Sequence, residues 1–173
     1  MTEILEILKY ILPSIIVFFT AFFLLRIYLN NEEKKKRLDL SMNRTDTILP
    51  VRLQAFERLI LYLERISPDS LVMRFKNQKL SVAQLQNELI QNVRSEYEHN
   101  LSQQTYISSQ AWKKIKMARS EIIKLINTSA AELNPADQGI NLSKRILEKA
   151  MNDKNPPTQE ALEFLKNEVR QLF

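Results

Sequence analysis

The sequence predicts an all-α protein: an N-terminal transmembrane helix followed by a small cytoplasmic helical bundle with an antiparallel helical hairpin. Three observations lead there. Residues 10–25, YILPSIIVFFTAFFLL, form an uncharged run of 16 residues bounded by Lys9 and Arg26. From Thr45 onward the apolar residues recur every three or four positions, and no period-two strand pattern survives inspection. The whole chain of 173 residues has one glycine, Gly139, and folds rich in tight β-turns need more.

The same composition narrows the chemistry. Phosphate-cradling loops and dinucleotide fingerprints need glycines where backbone approaches a ligand, and this chain cannot supply them. It has no cysteine, which excludes disulfides, thiolate metal sites and cysteine nucleophiles. Lys and Arg number 25 against 20 Asp and Glu, a net charge of +5, so the chain is mildly basic.

The organisation read from the chain is a transmembrane anchor over residues 1–30, a charged juxtamembrane segment over 31–48 and a helical cytoplasmic domain over 49–173. At 1.5 Å per residue the uncharged run is about 24 Å long. Ile4, Leu5 and Leu8 before it and Ile27 to Leu29 after it extend it to a bilayer crossing of roughly 30 Å. A cleaved signal peptide would carry its positive charges before the apolar run, whereas here RIYLNNEEKKKR follows it. One basic residue, Lys9, precedes the span and six follow it: Arg26, Lys34, Lys35, Lys36, Arg37 and Arg44. The positive-inside rule then puts the N-terminus outside and the body in the cytoplasm. Lys34, Lys35, Lys36 and Arg37 are candidate contacts for anionic headgroups, though every cytoplasm-facing flank needs such charge.

In the body, LPVRLQAFERLILYLERI has Pro50 in a first helical turn and Leu53, Phe56, Leu59, Ile60, Leu63 and Ile66 on one side. Ser67 to Asp69 stop it, and a short turn of helix, SLVMRF, follows. Ser81 with Gln84 has the spacing of a capping box, after which Val82, Leu85, Leu89, Val93, Tyr97 and Leu101 trace one face. A third helix, from Ser108 or Ser109 to about Leu133, buries Ala111, Trp112, Ile115, Ala118, Ile122, Leu125 and Ile126, and Asn134 before Pro135 ends it. Gly139 is read as a turn residue, Leu142 to Met151 as a shorter helix, and Thr158 as the cap of a final helix with Leu162, Leu165, Val169, Leu172 and Phe173 on one face.

The segment EYEHNLSQQTYISSQAW, Glu96 to Trp112, holds the only histidine and the only tryptophan. As a catalytic base His99 lacks company: its neighbour Glu98 points about 100° away on a helix, and no second histidine or cysteine exists. Glu96 and Glu98, two apart, do not face each other either. No metal set, no cofactor and no enzymatic role is therefore expected. Helix ends leave donors and acceptors that Asn, Ser and Gln can satisfy, which accounts for part of the polar composition. The remainder makes Tyr97, Glu98, His99, Asn100, Gln103, Gln104, Tyr106 and Trp112 the candidate surface for a protein partner, since aromatics and amides combine at such surfaces.

Lys113, Lys116 and Lys124 fall within about 80° of one another and form a candidate basic stripe. The body from Thr45 carries 18 basic and 15 acidic residues, so nucleic acid is disfavoured and a solvated face is the plainer reading.

The run LPVRLQAFERLILYLERISPDSLVMR, the EHNLSQQ turn and INLSKRILE at Ile140 to Glu148 resemble a family of short, single-pass, membrane-anchored helical proteins from Bacteroidota that has no known function. The resemblance implies location and architecture and carries no reaction or binding residue with it. The expectation is a non-enzymatic, membrane-tethered scaffold or accessory subunit engaging another protein at the cytoplasmic face. A peripheral binder of anionic lipid or nucleic acid is the alternative, an enzyme of unknown type the third reading, and self-association stays open.

Overall fold

In the computed structural model, backbone is described for residues 2–76 and 79–172, and side chains for 15–36, 48–76 and 79–172. Among the predicted features, Arg37, Arg44, Phe173 and the N-terminal residues Ile4 to Pro13 have side chains outside those ranges. The fold is all-α. Its helices are α1 (Thr2–Arg65), α2 (Pro68–Arg74), α3 (Val82–His99), α4 (Ser109–Ala130), α5 (Gly139–Met151) and α6 (Pro157–Arg170), with a 3-10 turn at Leu101–Thr105. The chain divides into two units, Met1–Leu49 and Pro50–Phe173.

In the first unit the backbone is helical throughout the described residues, so the charged segment continues the helix of the apolar run. Ile15–Lys36 is apolar and long enough to cross a membrane, with no part of it buried in protein. Its exposed Phe18, Phe19, Phe22 and Phe23 project an aromatic surface that water would solvate poorly. Thr20 turns its hydroxyl back onto the carbonyls of Ile16 (2.6 Å) and Val17 (3.0 Å), so it adds no unsatisfied polar atom to that surface.

The second unit is built on the apolar stripes. Phe56, Leu59, Tyr62 and Leu63 of α1, with Ile66 just after it, join Val82, Leu85, Leu89 and Val93 of α3 in one core with Ala111, Ile115, Ala118, Ile122 and Ile126 of α4. Leu142 and Ile146 of α5 and Ala161, Leu162 and Leu165 of α6 complete it. Burying each such aliphatic side chain contributes about 1.5–3 kcal/mol, and together they decide which helix faces inward. The final helix packs on α4 of its own bundle.

The joints are polar. Ser81 caps α3 by a reciprocal pair of bonds: the Gln84 N–H donates to its hydroxyl at 3.3 Å and its own N–H donates to the Gln84 side chain at 3.0 Å. The open donors of Val82 and Ala83 are met from far along the chain, by the carbonyls of Asp137 (2.9 Å) and Pro135 (3.1 Å). Arg74 at the end of α2 donates to the Arg65 carbonyl at 2.9 Å, which occupies an open acceptor at the C-terminus of α1. It also donates to Asn92 at 3.1 Å and pairs with Glu96 at 3.5 Å, locking α2 across α1 and α3.

Four sequence expectations change. Pro50 lies inside the assigned span of α1 and does not open a new helix. α4 ends at Ala130, three residues before Leu133. Gly139 is the first residue of α5, with no positive φ. A Cβ there would meet the Leu80 carbonyl at 2.9 Å, so close approach and not a turn conformation explains the glycine. Thr158 is buried inside α6, and Pro156 occupies the cap position. Pro157 fits the first helical position because it has no N–H to leave open, and no side chain caps the donors that follow.

Candidate functional site

The polar turn between α3 and α4 has a hydrogen-bonded frame. At its first end the Asn100 side chain donates to the Glu96 carbonyl at 2.8 Å, and the Asn100 backbone N–H donates to Tyr97 at 3.0 Å. Within the 3-10 turn, Thr105 donates its hydroxyl to the Ser102 carbonyl at 3.0 Å and Gln103 donates to the Ser102 hydroxyl at 3.2 Å. At the far end Ser108 caps α4, accepting from the Ala111 N–H at 3.0 Å.

Two residues distant in sequence clamp this frame. Glu168 of α6 accepts from both the Ser108 N–H (3.0 Å) and the Ser108 hydroxyl (2.8 Å). Arg52 of α1 donates from Nε to the Tyr106 carbonyl at 3.1 Å. The turn therefore lies at the end of the bundle where the chain enters this unit and where α6 terminates.

The predicted surface residues separate into two sets. Trp112 is 8% exposed and belongs to the core. Tyr97, half-buried, stacks on it with centroids 5.4 Å apart and an interplanar angle of 26°, and contacts Tyr62 at 6.2 Å. The Arg119 guanidinium lies 4.2 Å over the Tyr97 ring. These two aromatics, one in the last turn of α3 and one in the first turn of α4, are structural anchors under the turn, because large apolar rings gain more from burial than from solvent. Asn100 and Gln103 are half-buried and engaged in the local bonds above.

Glu98, His99, Gln104 and Tyr106 form the second set, all exposed. Among the described residues the side chains of Glu98, His99 and Gln104 have no protein hydrogen bond. Tyr106 is 40% exposed and is accompanied by Leu101 at 43%. Leu101 was expected on the apolar face of α3. The helix stops at His99, the register is lost in the 3-10 turn, and the side chain emerges at the surface instead. Arg52 and Glu168, which hold the turn, carry no signal in sequence because their partners are 54 and 60 residues away.

Beneath the turn, the Tyr62 hydroxyl is buried with no hydrogen-bond partner. Burial, reinforced by the neighbouring Tyr97 and Glu96 and opposed by Arg119, pushes its ionisation well above the ordinary tyrosine range. It stays neutral at any physiological pH and offers no base.

Elsewhere, Lys113, Lys116 and Lys124 are exposed along α4 as the spacing required. Lys124 is paired with Glu121 at 3.2 Å. Lys34, Lys35 and Lys36 are exposed in the first unit, where Lys36 pairs with Glu32 at 3.3 Å. A cleft beside α4 has a floor of Ile122, Leu125 and Pro156 and a rim of Glu121, Lys149 and Asp153. Lys149 is held there by Glu132 at 2.7 Å and the Thr128 carbonyl at 3.2 Å. Among the described residues no group of three His, Asp or Glu side chains is placed to hold a metal.

The model of a family of unknown function, DUF7935, matches residues 2–172. No curated protein and no solved structure matches the chain.

Proposed function

We propose that this chain, which belongs to the DUF7935 family, is a non-enzymatic, membrane-tethered helical scaffold or accessory subunit that engages another protein at the cytoplasmic face. The observation that carries the reading is the hydrogen-bonded turn bearing uncommitted side chains. Asn100, Ser102, Thr105 and Ser108 are occupied in building the turn, and Arg52 and Glu168 hold it from outside. Glu98, His99, Gln104, Leu101 and Tyr106 are thereby presented in a fixed arrangement, with little ordering entropy left to lose on binding. Mixed aromatic, amide and charged groups on such a frame suit a protein partner.

The tether is the helix Ile15–Lys36, and the excess of Lys and Arg after it favours an inner-membrane protein with the body inside the cell. The likeness of its sequence motifs to proteins from Bacteroidota supports a bacterial setting of that kind.

The test is to replace Gln104 and Tyr106 with Ala in the full-length chain, purify it from membranes after cross-linking, and identify captured proteins. A defined partner that is retained by the parent and lost from the variant, with helicity and melting unchanged, is the expected result. Retention of every captured protein by the folded variant would make the turn a solvated connector. Loss of fold together with the partner would make it structural.

A further inference from the structure

We propose that the helix face carrying Tyr28, Asn31, Lys34 and Lys35 is a binding site for the phosphate of an anionic phospholipid headgroup. The inference rests on the reading of Ile15–Lys36 as a membrane span and adds a ligand to it.

Four consecutive basic residues, Lys34 to Arg37, are spread all round a helix. Glu32 engages one of them: it pairs with Lys36, one turn on, at 3.3 Å. Lys34 stands on the opposite side of the helix from that pair, and Lys35 stands between the two sides. Among the described residues neither has an ion-pair partner, and both are exposed.

With Tyr28, Asn31 and the edge of Glu32 these two lysines line one shallow recess. At 100° per residue Tyr28, Asn31, Lys34 and Lys35 share an arc of about 120°. Two ammonium groups, an amide donor and a phenol hydroxyl on one face supply what a phosphodiester needs: charge, and donors for its two free oxygens.

Depth selects the lipid. Lys34 is five residues beyond Leu29, the last apolar residue of the run, which is about 7.5 Å along the axis. The polar layer of a bilayer leaflet is roughly 5–8 Å thick, so the recess falls where phosphates reside. Tyr28 falls at the boundary that tyrosine prefers. A free phosphate would have to be taken from water by a recess on a single helix with one side open. A headgroup is already held at that level by its own acyl chains.

The test uses the full-length chain. Membrane integration is measured first by resistance to carbonate extraction, for the parent and each variant. Detergent-purified protein is then offered equal amounts of phosphatidylglycerol and phosphatidylcholine, and retained lipids are counted by native mass spectrometry. The parent is expected to prefer phosphatidylglycerol, and K34Q/K35Q to weaken that binding roughly 25-fold, about five-fold for each charge. E32Q/K36Q, which removes a mutually satisfied pair, and K113Q/K116Q, which removes two charges from the bundle, are expected to stay within about two-fold of the parent. Glycerol phosphate at millimolar concentration is expected not to compete. Extraction by carbonate would overturn the membrane reading and this site with it. An integral protein without lipid preference, equal losses in K113Q/K116Q, or competition by glycerol phosphate would overturn the headgroup site alone.

Discussion

Tyr97 stacks on Trp112 across the α3–α4 interface with ring centroids 5.4 Å apart, and Arg119 covers the Tyr97 ring at 4.2 Å. The pair stands beneath the exposed turn, so the turn is built over a stacked aromatic contact of the bundle. Replacing Trp112 with Ala removes the largest side chain of this layer and is expected to destabilise the bundle by about 3–5 kcal/mol in a urea melt. Arg119→Ala is expected to have a much smaller effect, about 0.5–1 kcal/mol, because its contact is at the surface. Equal effects of the two would mean that the stack is held by the cation and not by packing.

Phe56 and Leu63 lie inside the core two turns apart on α1. Asp at either position would bury a charge without a partner, and losses above about 3 kcal/mol are expected. Unchanged melting of Phe56→Asp or Leu63→Asp would show that this face docks on another chain.

Glu168 satisfies two donors of Ser108 at once. Glu168→Ala leaves both without their partner, and about 1–3 kcal/mol of stability is expected to go with it. Hydrogen exchange at Ser108 and along α6 should rise together; an increase at Ser108 alone would separate the cap from the docking of the helix.

Glu132 receives hydrogen bonds from Lys149 first and Arg145 second, which hold its carboxyl below the ordinary range. A carboxyl with a lowered folded-state pKa contributes stability above its unfolded value, near 4.3, and loses that contribution as pH falls through the lowered value. The melting temperature of Glu132→Gln is therefore expected to fall less steeply than that of the parent below about pH 4. Coincident acid limbs would show that solvent screens the pairs completely.

A reporter active only outside the cytoplasm, fused after Phe173, is expected to be silent. Activity of the fusion would reverse the orientation and place the turn outside the cell.

The inward faces of α3, α4 and α6 were legible because each is one uninterrupted amphipathic period. The box of Ser81 and Gln84 was legible because both of its bonds are local. What escaped detection depends on distant or competing partners. Leu101 continues the arithmetic of α3, yet the helix ends at His99 and the residue is exposed. Tyr97 and Trp112 were read both on the inward faces of their helices and as part of the turn's surface; the bundle takes their rings inward. Arg52, Glu168 and the carbonyls of Pro135 and Asp137 act across 50 residues or more, a separation that periodicity does not report.

The start of α3 has a consequence for how the chain is made. Its donors at Val82 and Ala83 bond carbonyls of Asp137 and Pro135, and the Gly139 N–H returns a bond to Leu80 at 2.8 Å. On a ribosome adding about 5–20 residues per second, the first turn of α3 is synthesised roughly 3–11 seconds before those partners exist. Until then only Ser81 and Gln84 hold it, so the nascent hairpin of α3 and α4 waits with one end unsealed. Substitution of Gly139, by keeping Leu80 at a distance, would prolong that interval and expose the half-made bundle to proteases and chaperones.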